Sequence, residues 1–385
     1  MPRFEPFRAL RFAADDLTPL VAPPYDVLAD ADVDELEARS PYNITHVDVP
    51  RGGPDRYERA AATLQEWVRA GVMVSDAVPS FTLYRLRFTD AAGRARETTG
   101  VLGALEVVDP GSGGVLPHER TTPKDATDRL ELTRATRANL SPVWGLSLAS
   151  GLTGLLAEPD ETVGRVVADG VEHVVERVTN PERIAAIRTA LGRADVLVAD
   201  GHHRYGVART YRDEVRTSQG PGTAAELTLA FVQELVADQL SVEAIHRVYA
   251  EQPSALEVYF TFTPTERPAP ETLAQMQEEG FLVLHSRTGT FRLDPRPGAF
   301  AGQRALDGLW LETTLGSAEV RYQHGLDEAL AAVDSGAAEA VVLIRPVSVA
   351  EIERTALEGV LMPPKSTFFT PKLKTGFVVR PLSQG

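Results

Sequence analysis

The sequence predicts a mixed α/β protein, in which strands and helices alternate along the chain. Segments with the two-residue alternation or the short apolar runs of strands recur beside segments whose apolar residues have helical spacing. One strand pattern, at 195–199, leads directly into a helix pattern that begins at His202. Another pair of strand patterns flanks Asp169-Gly170, a favoured hairpin turn. The apolar fraction of 43% and the charged fraction of 24% are those of an ordinary globular protein.

The N-terminal α+β region, 1–110, opens with a turn at 21–27 in which prolines fix an extended path. Its predicted elements are helices over 32–39 and 56–70 and strands over 81–88 and 100–108. A Gly- and Pro-rich stretch follows at 109–114. Such a stretch is typical of a linker or of a mobile loop beside a site, so we place a domain boundary there.

The remaining chain divides at about residue 250. The elements predicted before that point are a helix over 125–138, a strand over 141–146, a hairpin over 165–178, a helix over 181–191, a strand over 195–199 and a helix over 202–214. The elements predicted after it are strands over 258–262, 281–284 and 290–293 and helices over 326–333 and 349–358. We therefore expect a central core, 111–250, followed by a C-terminal α/β region, 251–385.

Composition excludes several classes of function. The formal net charge of -15 argues against a general nucleic-acid binder, which needs a cationic surface. The longest apolar stretches, such as 340–344, fall far short of the roughly 20 residues that cross a bilayer. Residues 1–13 lack the apolar segment of a secretory signal, so we expect a cytoplasmic protein with neither a membrane nor a nucleic-acid partner. The absence of cysteine removes disulfides and thiolate chemistry.

The strongest candidate site is Asp200-Gly201-His202-His203-Arg204-Tyr205, at a strand-to-helix junction. The first N–H groups of a helix lack partners within the helix, and the helix dipole attracts anions to them. Gly201 lets the backbone approach a phosphate, and Arg204 offers a forked donor. The alternative is a purely structural turn, in which Asp200 caps the helix and both histidines lie on a solvated first turn.

A second candidate is Pro117-His118-Glu119-Arg120-Thr121, between the glycine-rich stretch and the next helix. A carboxylate held there, that of Glu119, could act as a general base. The alternative is a capping arrangement, in which Thr121 or Thr122 caps the helix and Glu119 is solvated.

A third candidate is the proline-stiffened segment 362–373, which carries Lys365 and Lys372. In an acidic protein such a segment could close over a phosphorylated ligand. The alternative is a rigid loop held in the core by Phe368 and Phe369. Lesser candidates, each of which could equally be structural, are Tyr25, Asp26, Asn43, His46 and the pair His246-Arg247.

Four of these segments together resemble the prokaryotic family DUF1015 over nearly the whole chain. They are Pro-Pro-Tyr-Asp-Val at 23–27, Pro-His-Glu-Arg-Thr at 117–121, Ala-Asp-Gly-His-His-Arg-Tyr at 199–205 and Met-Pro-Pro-Lys-Ser-Thr-Phe-Phe-Thr-Pro-Lys-Leu at 362–373. The middle region is also similar to the archaeal free L-serine kinases of the ParB/sulfiredoxin-like superfamily. His118-Glu119, Ser141-Pro142-Val143 and 200–204 recur there in the same order. The interval between Glu119 and Asp200 is longer than in those kinases.

This second resemblance implies a ParB/sulfiredoxin-like core and a small-molecule kinase that uses ATP or ADP with Mg²⁺ to phosphorylate free L-serine or a related hydroxyl. Catalytic roles then fall on Glu119, Asp200 and His118. The nucleotide-binding residues implied or proposed are Gly201, His202, His203, Arg204, Lys365 and Lys372.

Two other classes of function stay open. One is a non-catalytic nucleotide-binding switch, because ParB relatives use this fold to bind a nucleotide during conformational cycling. The other is a metal-dependent hydrolase whose ligands are His118, Glu119, His202 and His203. The chain lacks the helical His-Glu-x-x-His pair that many such enzymes use.

Overall fold

The structure, a computed structural model, describes residues 1–90, 93–117, 126–316 and 318–382. The strands are β1 (Phe4–Glu5), β2 (Leu10–Phe12), β3 (Met73–Ser75), β4 (Phe81–Thr89), β5 (Ala95–Glu106), β6 (Val115–Pro117), β7 (Ala138–Asn139), β8 (Val143–Ser147), β9 (Glu161–Ala168), β10 (Val171–Val178), β11 (Val196–Asp200), β12 (Leu227–Glu234), β13 (Ser241–Glu243), β14 (Ile245–Tyr249), β15 (Phe260–Pro264), β16 (Leu282–Ser286), β17 (Gly289–Pro295), β18 (Val320–His324), β19 (Ala340–Leu343), β20 (Phe368–Thr370) and β21 (Arg380–Pro381).

The helices are α1 (Asp30–Arg39), α2 (Thr45–Asp48), α3 (Arg56–Arg69), α4 (Ala126–Thr136), α5 (Leu152–Ala157), α6 (Pro181–Leu191), α7 (His202–Gln219), α8 (Leu256–Tyr259), α9 (Pro270–Glu279), α10 (Asp307–Leu315), α11 (Leu326–Asp334) and α12 (Val349–Leu357). The predicted mixed α/β class is therefore confirmed.

The described residues form two compact units. The first contains 1–241 and 371–382, and the second contains 242–370. This division differs from the predicted ranges 1–110, 111–250 and 251–385. The physical reason is that strands from both of the first two predicted regions share one sheet, and the C-terminal residues return to pair with that unit.

In the first unit, a nine-stranded sheet has the order β6-β11-β8-β12-β5-β4-β10-β9, with β1 also paired to β5. β6 with β11 and β8 with β12 are parallel pairs, and the other pairs are antiparallel. Burial along β4 and β12 is nearly continuous, which indicates that both faces of the central sheet are covered. One face packs against α5 and α6 in a core that includes Leu152, Ile187 and Val232.

Two small ladders complete this unit. β2 pairs with β3, and β21 pairs with β7. Backbone bridges at Leu10–Val379 and Ala22–Thr375 join the N-terminal segment to the C-terminal one.

The second unit is built on an antiparallel sheet of order β15-β17-β16-β19-β14-β18, and β13 pairs with β20. Its two apolar clusters include Phe260 and Leu284 in one and Val283 and Leu330 in the other. The strand predicted over 258–262 is wrong in its first half, because Val258 and Tyr259 end the short helix α8 before β15 begins.

Candidate functional site

The candidate site is built on the turn that joins β11 to α7. β11 lies inside the sheet between β6 and β8, and its last residue, Asp200, is partly exposed. Gly201 follows with a φ of +83°, a left-handed conformation that favours glycine. A Cβ at this position would lie 3.0 Å from Arg204 Nε and 3.3 Å from Val143 Cα. The turn therefore requires both the backbone freedom and the small size of Gly201.

α7 presents its amino end at this turn. The helix is 18 residues long, and among the described residues no side chain caps it at Gly201. The Gly201 N–H donates instead to Asp200 Oδ1 at 2.9 Å. Because a helix carries partial positive charge at its amino end, this end is suited to an anion.

Arg204 lies in the first turn of α7 and holds its guanidinium against the β11 end. Its Nη2 lies 3.5 Å from Asp200 Oδ2 and 3.6 Å from Asp26 Oδ2, which are ion-pair rather than hydrogen-bond distances. Its Nη1 donates to the Pro142 carbonyl. Its Nε is buried and has no hydrogen-bond partner among the described residues. The guanidinium thus keeps donor capacity that its present neighbours do not use.

Lys372 brings a second cation to the same turn from 172 residues further along the chain. Its Nζ donates to Asp200 Oδ2 at 3.0 Å, and both residues belong to the first unit. Burial opposes ionisation of Asp200, but the charges of Lys372 and Arg204 outweigh it and hold the Asp200 pKa well below its usual range. Asp200 therefore stays a carboxylate at neutral pH.

An aromatic and ionic cluster lies behind Arg204. The guanidinium carbon of Arg129 lies 4.2 Å from the Tyr25 ring centroid, and that of Arg204 lies 6.0 Å from it. Burial raises the Tyr25 pKa to about 12, so this ring remains a neutral phenol. Arg129 also donates to the backbone carbonyl of Asp48 at 2.6 Å. Burial raises the pKa of the Asp48 carboxyl despite the nearby arginines.

A cavity of about 50 Å³ adjoins this cluster and is lined in part by Asp48, Arg129, Ser141 and Arg204. This volume has room for a few water molecules but not for a nucleotide or an amino acid. The cavity is therefore too small to be the binding site of such a ligand.

Tyr205 and Arg212 fix α7 on the sheet. The Tyr205 hydroxyl accepts the Val108 N–H at 2.9 Å and donates to the Glu106 carbonyl at 3.0 Å. Arg212 is buried about two turns further on and donates to the Val107 carbonyl at 2.6 Å. Because both contacts reach the end of β5, the amino end of α7 is held on a rigid support.

The other predicted site residues are placed as follows. His202 and His203 are half-buried on the first turn of α7. Lys365 is exposed, has a left-handed backbone with φ +58° and belongs to the second unit. His118 and Glu119 lie outside the described residues, so their predicted roles stay predictions.

Three lesser candidates have structural contacts. Asn43 is fully buried and bridges the Pro19 carbonyl and the Thr45 N–H at 2.8 and 3.1 Å. His46 contacts the Ser40 carbonyl at 3.2 Å. His246 accepts the Ile344 N–H at 3.2 Å.

Sequence reasoning missed Asp48 and Arg129 and ranked Asp26 low. A buried acid and a buried base are rare unless they are paired, but their spacing of 81 residues gave no local signal. Proximity of Asp26 to Arg204 likewise depends on the tertiary fold.

Metal ligands are few at this site. Across the described ranges, no group of three or more His, Asp or Glu side chains could hold a metal ion. Mg²⁺ commonly takes one or two carboxylates, several waters and the phosphates of a substrate. Asp26 and Asp200 supply carboxylates beside this turn, although both face the Arg204 guanidinium and Asp200 also accepts from Lys372. They do not form an all-protein metal cage.

A left-handed glycine turn, the amino end of a helix, a guanidinium whose Nε has no partner among the described residues, and a lysine thus lie together at the end of β11. Groups of these kinds are common in anion-binding sites. The chain belongs to the family described as "Protein of unknown function (DUF1015)", whose sequence profile matches residues 4–310.

Other comparisons give weaker likenesses. No curated protein matches the chain significantly. Among solved structures, "Free serine kinase in complex with AMP" is 13% identical with a TM-score of 0.39, covering 69% of this chain and 88% of that one. A conserved hypothetical protein from Pyrococcus furiosus has the same identity and TM-score, covering 69% and 92%. SbnI with a C-terminal truncation, from Staphylococcus aureus, is 14% identical with a TM-score of 0.42, covering 74% and 89%.

None of the helices in the described part of the chain combines the length and apolar composition that crossing a bilayer requires.

Proposed function

We propose that the chain binds a nucleotide by its phosphates at the amino end of α7 and transfers a phosphoryl group to the hydroxyl of a small metabolite. Free L-serine is the first acceptor to test, because the motif order 118–119, 141–143 and 200–204 resembles that of the free serine kinases. The donor is ATP or ADP.

The main observation in favour of nucleotide binding is that the Arg204 guanidinium has hydrogen-bond donors that its neighbours do not use. Its guanidinium faces Asp26 and Asp200 at distances longer than hydrogen bonds, and its Nε is unpaired among the described residues. A phosphate oxygen would offer charge-assisted hydrogen bonds to donors that are already buried and oriented. Gly201 has no side chain that would keep such an oxygen from the backbone at the helix end.

The transfer itself needs few groups. The acceptor oxygen attacks the terminal phosphorus of the nucleotide, the bond from that phosphorus to the bridging oxygen breaks, and the nucleotide leaves with one phosphate fewer. The hydroxyl proton passes to a base, for which we propose Glu119. Positioning and charge neutralisation supply most of such catalysis, and Arg204 and Lys372 are the cations proposed for that role.

Mg²⁺ would be held by Asp26 or Asp200 together with the phosphates, and when bound it neutralises part of their charge. Asp200 also orients the turn, because it accepts from both the Gly201 N–H and Lys372 Nζ. We propose that this second task, rather than proton transfer, is the main role of Asp200.

Nucleotide binding is tested by calorimetric titration of ATP, ADP and AMP. Arg204→Ala and Arg204→Lys should weaken binding by tenfold or more, since hydrogen bonds to charged groups contribute about 1.5–3 kcal/mol. The matched control is Arg209→Ala on the same helix, which should leave affinity unchanged. Equal affinity in the wild-type protein and in a folded Arg204→Ala variant would remove the proposed phosphate site.

Transfer is tested by incubating the protein with Mg²⁺, ATP or ADP and a panel of free amino acids, followed by mass spectrometry of the products. Glu119→Gln should abolish product formation and leave nucleotide affinity within twofold of the wild type. Retained turnover in that variant would rule out its role as the base. Tight nucleotide binding with no product from any acceptor would favour a nucleotide-binding switch instead.

A further inference from the structure

A second cavity in the first unit has Arg380 in its wall, a residue that takes no part in the proposed nucleotide site. It has a volume of about 650 Å³ and lies between the N-terminal segment, the segment 222–227 and the C-terminal pair Arg380-Pro381. Among the described residues that line it, none belongs to the candidate site at the β11-to-α7 turn.

Arg380 is a buried cation at the wall of this cavity, with only 4% of its surface exposed. Its Nη1 donates to Asn139 Oδ1 at 3.1 Å and to the Leu227 carbonyl at 2.8 Å, and its Nη2 donates to the Ala224 carbonyl at 2.9 Å. All of these acceptors are neutral. Within the described ranges no carboxylate lies at ion-pair distance, and Nε has no partner.

A buried charge without a counter-charge is costly, so such groups are normally paired. Burial lowers the Arg380 pKa to about 10, which leaves the side chain charged at neutral pH. The three carbonyl contacts orient the guanidinium but do not neutralise it. An anion bound at this wall would supply the counter-charge that Arg380 lacks among the described residues.

Two further arginines line the same cavity. Arg8 is exposed, and no ion pair of its side chain occurs among the described residues. Arg3 pairs with Glu106 at 2.9 Å. The lining acid Glu226 is already bound by Arg216. In a chain of net charge -15, this local excess of cations is a marked departure from the average surface.

Phe7 and three prolines make part of the wall apolar and stiff. Phe7 places its ring centroid 5.9 Å from the guanidinium carbon of Arg380. Pro6, Pro79 and Pro381 also line the cavity. Rigid apolar walls with a few cationic groups are typical of sites for small organic anions.

We propose that this cavity binds a small organic anion, a carboxylate or a phosphate monoester with an aromatic or aliphatic body, between Arg8 and Arg380. The anionic group contacts the two guanidinium groups, and the apolar body packs on Phe7 and the prolines. The site is separate from the proposed nucleotide site and does not depend on it.

The test is calorimetric titration of the full chain with phenyl phosphate, benzoate and inorganic phosphate at low ionic strength. Phenyl phosphate and benzoate represent the two kinds of anionic group, and inorganic phosphate lacks the apolar body. We expect one-to-one binding of at least one of the two organic anions, with inorganic phosphate at least tenfold weaker. Arg380→Gln should weaken binding tenfold or more, and Arg8→Gln threefold or more.

Arg8→Gln decides the question if Arg380→Gln does not fold, because Arg8 is exposed. Arg69→Gln, an exposed arginine on α3, is the matched control and should leave binding unchanged. The same titration in Arg204→Ala separates the two sites, since binding should persist there. Binding that is lost in Arg204→Ala, that is equal in Arg8→Gln and Arg69→Gln, or that is absent for both organic anions would overturn the proposal.

Discussion

Asp200 and Arg204 show how single residues set the charge of the candidate site. Asp200 is surrounded by a lysine, an arginine and a backbone N–H, so it remains ionised and holds those groups in place. Arg204 is surrounded by two carboxylates at loose distances. The charges of Asp26, Asp200, Arg204 and Lys372 therefore cancel one another.

His173 provides a pH test of burial at the residue scale. The Tyr84 hydroxyl accepts the Lys374 N–H at 2.9 Å and lies within hydrogen-bond distance of His173 Nδ1, at 2.8 Å. Burial lowers the His173 pKa from 6.5 to about 3, so the folded ring is neutral above that pH. Because only the unfolded chain takes up this proton between those values, stability is full above pH 6.5 and falls as the pH drops. The slope contribution is about 1.4 kcal/mol per pH unit.

Urea unfolding of wild type and His173→Asn between pH 7 and pH 4.5 measures this contribution. The free energy of unfolding of the variant should decline less steeply than that of the wild type. His324→Asn, at an exposed histidine, is the control and should follow the wild-type slope. Parallel curves for wild type and His173→Asn would show that His173 does not titrate differently on folding.

Gln233 offers a test of an unsatisfied buried group. The residue is fully buried on β12, and neither Nε2 nor Oε1 has a hydrogen-bond partner among the described residues. Leaving a buried polar group unpaired costs about 1–3 kcal/mol, so Gln233→Leu should raise the free energy of unfolding by a similar amount. Gln239→Leu is the control, because the Gln239 amide donates to Thr153 Oγ1 at 3.3 Å. A loss of stability in Gln233→Leu would indicate an unseen partner for the amide.

Sequence patterns predicted the individual helices, strands and turns better than they predicted the rest of the fold. α6 begins at Pro181 and ends at Leu191 as predicted, because proline suits the first turn and Asn180 caps it. The hairpin turns at Asp169-Gly170, where both residues have positive φ. β11 and the start of α7 also match within one residue. In each case the decisive interactions are local, so a short stretch of sequence contains them.

Gly201 tests the element that forms the candidate site. Gly201→Ala places a Cβ in a left-handed residue and within 3.3 Å of Val143 Cα. We expect a loss of about 1–2 kcal/mol of stability and weaker nucleotide binding, because the helix end must shift. The matched control is Gly206→Ala in the same helix, where a Cβ meets nothing within 4 Å. That change should stabilise α7 by up to about 1 kcal/mol, and calorimetric melting distinguishes the two signs.

The whole molecule depends on pairings between distant segments, which local patterns cannot contain. Residues 371–382 belong to the first unit, although they follow the entire second unit in the chain. Lys372 thereby reaches Asp200, and Arg380 reaches Asn139 across 241 residues. The residue types in the segment 362–373 indicated a candidate site. The residues that this segment contacts, such as Asp200, could be identified only from the tertiary fold.

The two units should therefore open separately when either core is damaged. Phe377 is buried in the first unit, 5.4 Å between ring centroids from Tyr84, and Phe260 is buried in the second, 5.4 Å from Phe300. Each change to alanine should cost about 3–5 kcal/mol in its own unit. Hydrogen exchange followed by mass spectrometry reports where the protection is lost.

Phe377→Ala should speed exchange in β4 and β5 although the substitution lies near the end of the chain, because that segment packs on their sheet. β16 and β19 should keep their protection. Phe260→Ala should give the reverse pattern. Exchange that rises equally in all four strands for both variants would mean that the units unfold as one cooperative body.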